Sequence, residues 1–315
     1  MDRLTGMKVL FAGSPDAAVP TLRALHESTH TVVGVLTQPP APVGRRQVLV
    51  DTAVGAWARE QGLQVRTPES SAEVTAAVAE FSPDVAIVVA YGRILGGRAL
   101  DSVPSGWWNV HFSLLPRWRG AAPVQRAILA GDTETGITLF RIVEALDAGP
   151  VGAALAHPIS PYDTSGTLLH KLSLIAPGLV LDFLAQGDPA SASVTGQIGE
   201  PTYAPKFPPG FGHLDLRMDA TELYQHFRAM TPEPGAYVVR KDNGTVVKVL
   251  SGWVDPDFHP LEPGELVKTP LGILVGTGSK PLVLERVHPA GKKPMMAADW
   301  FRGLPEGVRI DVAGK

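Results

Sequence analysis

The sequence predicts an α/β domain built on a mostly parallel sheet, followed by a smaller all-β domain. Three observations predict it. The chain has 315 residues, more than the about 100–200 of one ordinary domain. Through residue 189, β-branched apolar runs alternate with segments of helical spacing, the pattern of a parallel sheet covered on both faces. From Gly235 onward, short β-branched runs follow one another with turn signals every ~8–12 residues, which suits a small barrel or sandwich.

Met7–Ala12 is an apolar run that stops at Gly13-Ser14-Pro15-Asp16, a turn and helix-start signal. Ala17–Leu25 then has helical spacing through Val19, Leu22 and Leu25. Thr31–Thr37 is β-branched and reads as a buried strand. Asp51–Gln61 reads as a helix and Leu63–Arg66 as extended. Ser71–Phe81 puts Val74, Val78 and Phe81 on one helical face. Asp84–Tyr91 is the strongest buried strand. Trp108–Phe112, Gly136–Val143 and Val151–Ala156 are further strands, and Ala121–Ala130 and Leu168–Leu184 are helices. The composition turns rich in Pro and Gly between Asp188 and Asp215, as in a linker running over a surface. Asp219–Ala229 is a short helix. Ala236–Arg240, Thr245–Ser251, Gly264–Thr269, Gly272–Gly276 and Leu282–Val287 are strands. Asp242-Asn243-Gly244 marks a hairpin, because Asn-Gly tolerates positive φ. The expected division is residues 1–189, a linker over 190–210, and a second domain over 211–315.

Composition removes several functional classes. Apolar residues are 44% and charged residues 19%, which supports a sizeable core and excludes global disorder. The 28 Lys and Arg against 31 Asp and Glu leave a net charge of −3. That excludes a uniformly basic nucleic-acid coat but not a local basic face. The segment before residue 206 carries −4 and the rest +1. With no Cys, disulfides, thiolate metal sites and a Cys nucleophile are excluded; a reducing compartment suits this. Val9–Ala12 is too short for a signal-peptide core. No uninterrupted apolar stretch reaches ~18 residues. A cytoplasmic protein without a membrane span is expected.

The densest chemistry lies at Asn109-Val110-His111, followed by Ser113-Leu114-Leu115-Pro116 and Arg117-Trp118-Arg119-Gly120. On a strand, residues two apart share a face, so Asn109 and His111 project together. An amide beside an imidazole can polarise a carbonyl and hold its oxyanion. Open α/β sheets place ligands at such strand ends. Alone, an Asn-x-His pair is more often just a strand end. Pro116 ends the strand and leaves a loop offering backbone groups to a ligand. Asp147, before Ala148-Gly149-Pro150, can orient His111 or hold a water. On spacing alone it serves equally well as a turn residue.

Together, Asn109, His111 and Asp147, with Ser113–Pro116 between, resemble the catalytic set of the 10-formyltetrahydrofolate-dependent formyltransferases. Phe11–Pro15, Thr37-Gln38-Pro39, Ala90-Tyr91-Gly92 and Arg117–Gln125 match that family in order. Thr202–Lys206 and His288–Asp299 resemble the appended domain of the branch acting on methionyl initiator tRNA. The resemblance implies a Rossmann-like catalytic domain and a small C-terminal β-barrel of OB-like form. It implies that Asn109 and His111 donate hydrogen bonds to the formyl oxygen, and that Asp147 orients His111 and helps move the proton. It places the folate co-substrate along Ser113, Leu114, Leu115 and Pro116, against Val88, Ala90, Tyr91, Gly92 and Glu144. No metal is needed. It makes Arg45 and Arg46 part of a tRNA-acceptor loop. Lys206, Lys292 and Lys293 are the further expected tRNA contacts, and a monomer is expected.

Three departures from the family pattern stand out. Asp147-Ala148-Gly149 replaces the usual Asp-Thr-Gly, losing a hydroxyl beside the carboxylate. Gly44–Thr52 is less basic than the usual acceptor loop. Phe207-Pro208-Pro209-Gly210-Phe211 replaces a more polar linker. A relative acting on an amino-sugar nucleotide is the nearest alternative, and His288–Asp299 weighs against it. A purine-precursor enzyme stops after the first domain. A dinucleotide-dependent oxidoreductase needs glycines where Ser14-Pro15-Asp16 stand. A binding module without catalysis has no use for the Asn-His-Asp trio.

Overall fold

The computed structural model describes residues 6–43, 47–254 and 257–312. The buried run after Met7 forms β1 (Lys8–Gly13), and Val9 to Ala12 are fully buried because strands pair with β1 on both sides. In order follow α1 (Val19–His26), β2 (Thr31–Leu36), β3 (Ala41–Val43), β4 (Val48–Val50) and α2 (Ala53–Glu60). Next come β5 (Val65–Arg66), α3 (Ser71–Phe81), β6 (Val85–Val89), α4 (Gly97–Leu100) and β7 (Trp107–His111). Then come α5 (Pro123–Leu129), β8 (Glu134–Arg141), β9 (Val151–Pro158) and α6 (Ser165–Ala185). The seven-stranded sheet has the order β5-β2-β1-β6-β7-β8-β9. Strands β5 to β7 are parallel, and β8 and β9 are antiparallel additions.

Helix starts follow local chemistry. The Thr52 hydroxyl accepts from the Gly55 N–H, and the Ser70 hydroxyl from the Glu73 N–H, satisfying donors a first turn leaves unpaired. Ala41–Val43 and Val48–Val50, on either side of the expected acceptor-loop arginines, pair antiparallel as β3 and β4, and Val48, Leu49 and Val50 are exposed. Three-residue strands containing Pro42 leave no periodicity to read. Helix α6 is long and apolar enough to cross a membrane by composition, with mean hydropathy 1.6. Lys171, Pro177 and Asp182 interrupt it. Leu168, Leu172, Ala176, Val180 and Phe183 are among its buried residues, at the three- and four-residue spacing of a packed helix. Phe183 lies against Trp108, ring centroids 4.5 Å apart. Trp108 is fully buried and sits beside Asn109, so it anchors the strand that carries the site. Trp108→Ala is expected to cost about 3–5 kcal/mol, read as a lowered denaturation midpoint in urea.

Chain contacts divide the protein into two units, with the last division between Ala204 and Pro205. The first unit holds the seven-stranded sheet. Residues 195–204, inside the expected linker, are tied to it: Thr195 bridges Val151, and Tyr203 bridges Arg119. The second unit contains α7 (Ala220–Met230), β10 (Tyr237–Val239), β11 (Val246–Val254) and β12 (Leu266–Thr269). It continues with β13 (Gly272–Val275), β14 (Leu282–Pro289), β15 (Met295–Met296) and α8 (Ala297–Arg302). These strands form one antiparallel sheet, β10-β11-β14-β13-β12, with β15 on β14. The Asp311 N–H donates to the Val239 carbonyl and the Ile310 N–H to the Gly264 carbonyl. The segment around Ile310 thus joins β10 to the residues before β12, the closure a barrel needs. The second unit also gathers Val124–Thr133 and Ile159–Leu168, which precede the expected boundary at residue 211.

Candidate active site

Asn109 and His111 leave the same face of β7. His111 is 5% exposed and Asn109 half-buried. Among the described residues none hydrogen-bonds the Asn109 side chain, so its amide donors are available to a ligand. His111 Nε2 lies 2.8 Å from the Trp118 carbonyl oxygen. A carbonyl only accepts, so Nε2 carries the hydrogen and the neutral ring presents its lone pair at Nδ1. Asp147 Oδ2 lies 3.8 Å from that Nδ1, and the same oxygen accepts from the Gly120 N–H at 2.7 Å. Burial pushes the His111 pKa below 6.5, while the Asp147 charge and the Trp118 carbonyl oppose that shift. The Phe140 ring packs edge-on to the imidazole.

Two oxygen- and nitrogen-based acceptors 3.8 Å apart converge on one position. A group bearing two N–H or O–H donors, such as an amine or a water, fits there. Asp147 holds φ of +46°, Trp118 of +64° and Gly120 of +123°. Gly120 is suited to this, since a Cβ there would stand 2.9 Å from the Ala204 carbonyl oxygen. These turns aim the Trp118 carbonyl and the Gly120 N–H at the His–Asp pair.

The expected folate contacts divide into two groups. Ser113 is fully buried and its hydroxyl donates to the Arg117 carbonyl at 2.6 Å. Thr138 on β8 braces the same loop: its hydroxyl donates to the Ser113 carbonyl at 2.7 Å and accepts from the Leu115 N–H at 3.2 Å. Leu114, Leu115 and Pro116 are partly exposed. Val88 and the Tyr91 ring are buried in the core, and burial pushes the Tyr91 hydroxyl up to about 12. The Tyr91 carbonyl is taken by Ser14 Oγ at 3.0 Å and Gln38 Nε2 at 3.2 Å. Ala90, at φ +47°, and Gly92, at φ +80°, turn the chain at the end of β6, where Ala90 and Gly92 are exposed. Glu144 is exposed and its carboxylate lies beside Gly97 at the start of α4. Exposed backbone on these loops, with exposed Ile94 and Leu146, fits a flat heterocycle with an apolar extension.

Sequence reading did not find Gln197. Its Nε2 donates to the carbonyls of Asp147 and Gly149 at 2.8 and 2.9 Å. Its Oε1 accepts from Arg119 at 2.6 and 3.0 Å. Thr202 entered only as the start of the Thr202–Lys206 match, with no role at the site; its hydroxyl accepts from the Trp118 N–H at 2.8 Å. Both lie in a segment whose composition resembles a linker. Of the expected tRNA contacts, Arg45 and Arg46 lie outside the described residues. Lys206, Lys292 and Lys293 are exposed in the second unit. Among the described residues no group of three His, Asp or Glu side chains is arranged to hold a metal.

A half-buried amide and a buried imidazole at the end of an interior strand, with a carboxylate beside them, are the equipment of a group-transfer enzyme that works on a carbonyl. The chain belongs to the formyl transferase family: residues 7–181 match the formyl transferase model and residues 206–305 the model of its C-terminal domain. The methionyl-tRNA formyltransferase of Paenarthrobacter aurescens is 46% identical over 96% of this chain and 99% of its own length. That of Thermobifida fusca is 44% identical over 96% and 97%. Among solved structures, HypX from Aquifex aeolicus in complex with tetrahydrofolic acid superposes with a TM-score of 0.70 at 18% identity. The match covers 96% of this chain and 48% of HypX, so this chain spans about half of that protein. The sugar 3N-formyl transferase WlaRD superposes with a TM-score of 0.65 at 15% identity, over 92% of this chain and all of that one.

Proposed function

We propose that this chain transfers the formyl group of 10-formyltetrahydrofolate to the α-amine of methionyl initiator tRNA. The observation that carries this is the near-full-length identity to methionyl-tRNA formyltransferases, across both the catalytic and C-terminal domains. The sugar enzyme is similar in fold alone.

The neutral amine attacks the formyl carbon, a carbon–nitrogen bond forms, and the carbonyl electrons move to oxygen. Asn109 donates a hydrogen bond to that oxygen as its charge develops. The expectation that His111 also donates there meets a constraint, because its Nε2–H is committed to Trp118. Only Nδ1 is left. In this mechanism His111 takes the amine proton at Nδ1, and Asp147 holds the imidazolium so formed. Nδ1–H then donates, and the proton passes to the folate nitrogen as the old carbon–nitrogen bond breaks. Depressing the pKa of His111 keeps it ready to accept a proton at neutral pH.

The test mixes purified protein, 10-formyltetrahydrofolate and methionyl initiator tRNA, with UDP-4-amino-arabinose as a parallel acceptor. Formyl-methionyl-tRNA as the sole product is expected. Product on the sugar alone would keep the catalytic chemistry and overturn the acceptor. Arg45→Ala combined with Arg46→Ala should raise the KM for tRNA. It should also flatten the salt dependence of kcat/KM by about 0.7–0.9 of a log unit per lost phosphate contact. An unchanged salt slope would place the phosphates elsewhere.

A further inference from the structure

We propose that Gln197 and Thr202 are positioning residues for the His111–Asp147 pair, so that the strap over residues 195–204 is part of the catalytic machinery rather than a connector. The inference rests on the catalytic reading of Asn109, His111 and Asp147. It begins from how each half of the pair is held. Asp147 sits in a left-handed backbone conformation, which a residue with a Cβ occupies only when its surroundings impose it. The Gln197 amide imposes it here. One nitrogen donates to the carbonyls of both Asp147 and Gly149, bracketing the turn. The amide cannot rotate to present its oxygen to those carbonyls, because Arg119 donates twice to that oxygen and fixes which end faces which way.

The other half of the pair is held by the same strap. His111 is fixed through the Trp118 carbonyl, and Trp118 is itself in the left-handed region. The Trp118 N–H donates to the Thr202 hydroxyl. The Thr202 carbonyl accepts from the Arg119 N–H at 2.8 Å, and the Ala204 N–H donates to the Arg119 carbonyl at 2.7 Å. The strap therefore pairs with the Trp118–Arg119 turn like a short strand and clamps the Asp147 turn through one side chain. The separation between Nδ1 and Oδ2 depends on both turns. Groups facing the imidazole are the Trp118 carbonyl, the Asp147 carboxylate and the Phe140 ring. The strap controls the first two.

Gln197→Met keeps the length of the side chain and removes its donor and acceptor. Its kcat is expected to fall about 10- to 100-fold, the effect of an ångström-scale misplacement, with KM for tRNA and folate nearly unchanged. As Asp147 moves away from His111, the charge that favours the imidazolium weakens. The acid limb of kcat and the His111 titration, followed by imidazole proton NMR and assigned with His111→Asn, both move to lower pH. Thr202→Val is expected to behave likewise, and Thr202→Ser, which keeps the hydroxyl, to restore wild-type turnover. A lower melting temperature with kcat and both titrations unchanged would overturn the proposal and leave the strap a tether. If Gln197→Met does not fold, the Thr202 pair decides in the same way. A wild-type protein that forms no formyl product, yet whose His111 titration shifts in Gln197→Met, would sink the function while keeping the positioning role.

Discussion

Replacing His111 with Asn lowers kcat by about 10²–10⁴, the usual worth of a positioned acid–base group, and leaves both KM values nearly unchanged. The ring is buried at the end of β7 with its Nε2 bound to a backbone carbonyl, which leaves Nδ1, beside Asp147, for a proton. In the proposed mechanism it moves a proton and holds neither substrate in the ground state, so its loss belongs in kcat. The pH dependence follows from the direction of its shift. Burial favours the neutral ring, so the proton leaves below pH 6.5. The working base is then present above that pH, and wild-type kcat should be level at neutral pH and fall along an acid limb below 6.5. Asp147→Asn removes the charge that favours the imidazolium. The limb therefore moves to lower pH while kcat drops by a similar factor of about 10²–10⁴. Combined with His111→Asn, it should add little, because the two residues move one proton together. A full additive loss in the double variant would exclude Nδ1 as the acceptor of the amine proton.

The parallel core was legible because its strands are buried on both faces. Val85–Val89 is apolar at every position and could only be an interior strand. Strand β9 was legible for a different reason. None of its residues is buried, yet Val151–Ala156 is apolar throughout, and the chain before it ends in a Gly-Pro turn. The β3–β4 pair and strand β15 escaped because two- and three-residue strands carry no period. Barrel closure depends on a segment near Ile310 whose backbone groups meet both edges, and nothing in its side chains announces that.

The site divides along similar lines. Asn109 and His111 were readable because a strand fixes their relation: two positions apart means one face. Asp147 was a candidate on spacing, no better than a turn residue, and the resemblance decided it, since its approach to His111 depends on a turn with positive φ at a residue that is not Gly. Gln197 left no trace, and Thr202 was visible only as part of a family match that said nothing of the site. Each acts on backbone atoms of loops far away in sequence, and a side chain bound to a carbonyl or an amide N–H leaves no complementary residue type behind. Ser14 and Gln38 stand inside motifs that were noticed, but their shared target, the Tyr91 carbonyl, is visible only once β1, β2 and β6 lie side by side.

Asn109→Ala is expected to lower kcat by about 10²–10³, the cost of deleting one oxyanion donor. The amide is half-buried on β7, two residues from His111, with Trp108 and Val110 packed into the core on either side. Its position is therefore set by the sheet and not by the ligand, which is what preorganisation requires. Because no protein group among the described residues competes for its hydrogens, both are free when negative charge builds on the formyl oxygen. A neutral formyl oxygen in the ground state draws far less from that donor. Turnover should fall while KM for the folate moves little. Asn109→Asp tests the sign of the interaction. It keeps the shape but presents a carboxylate to the developing oxyanion, so its kcat should lie below that of the Ala variant at neutral pH, and the gap between the two should narrow as the carboxylate is protonated. If the Asp variant outperforms the Ala variant at neutral pH, residue 109 fills space beside the reacting carbon and the oxyanion is held by other groups.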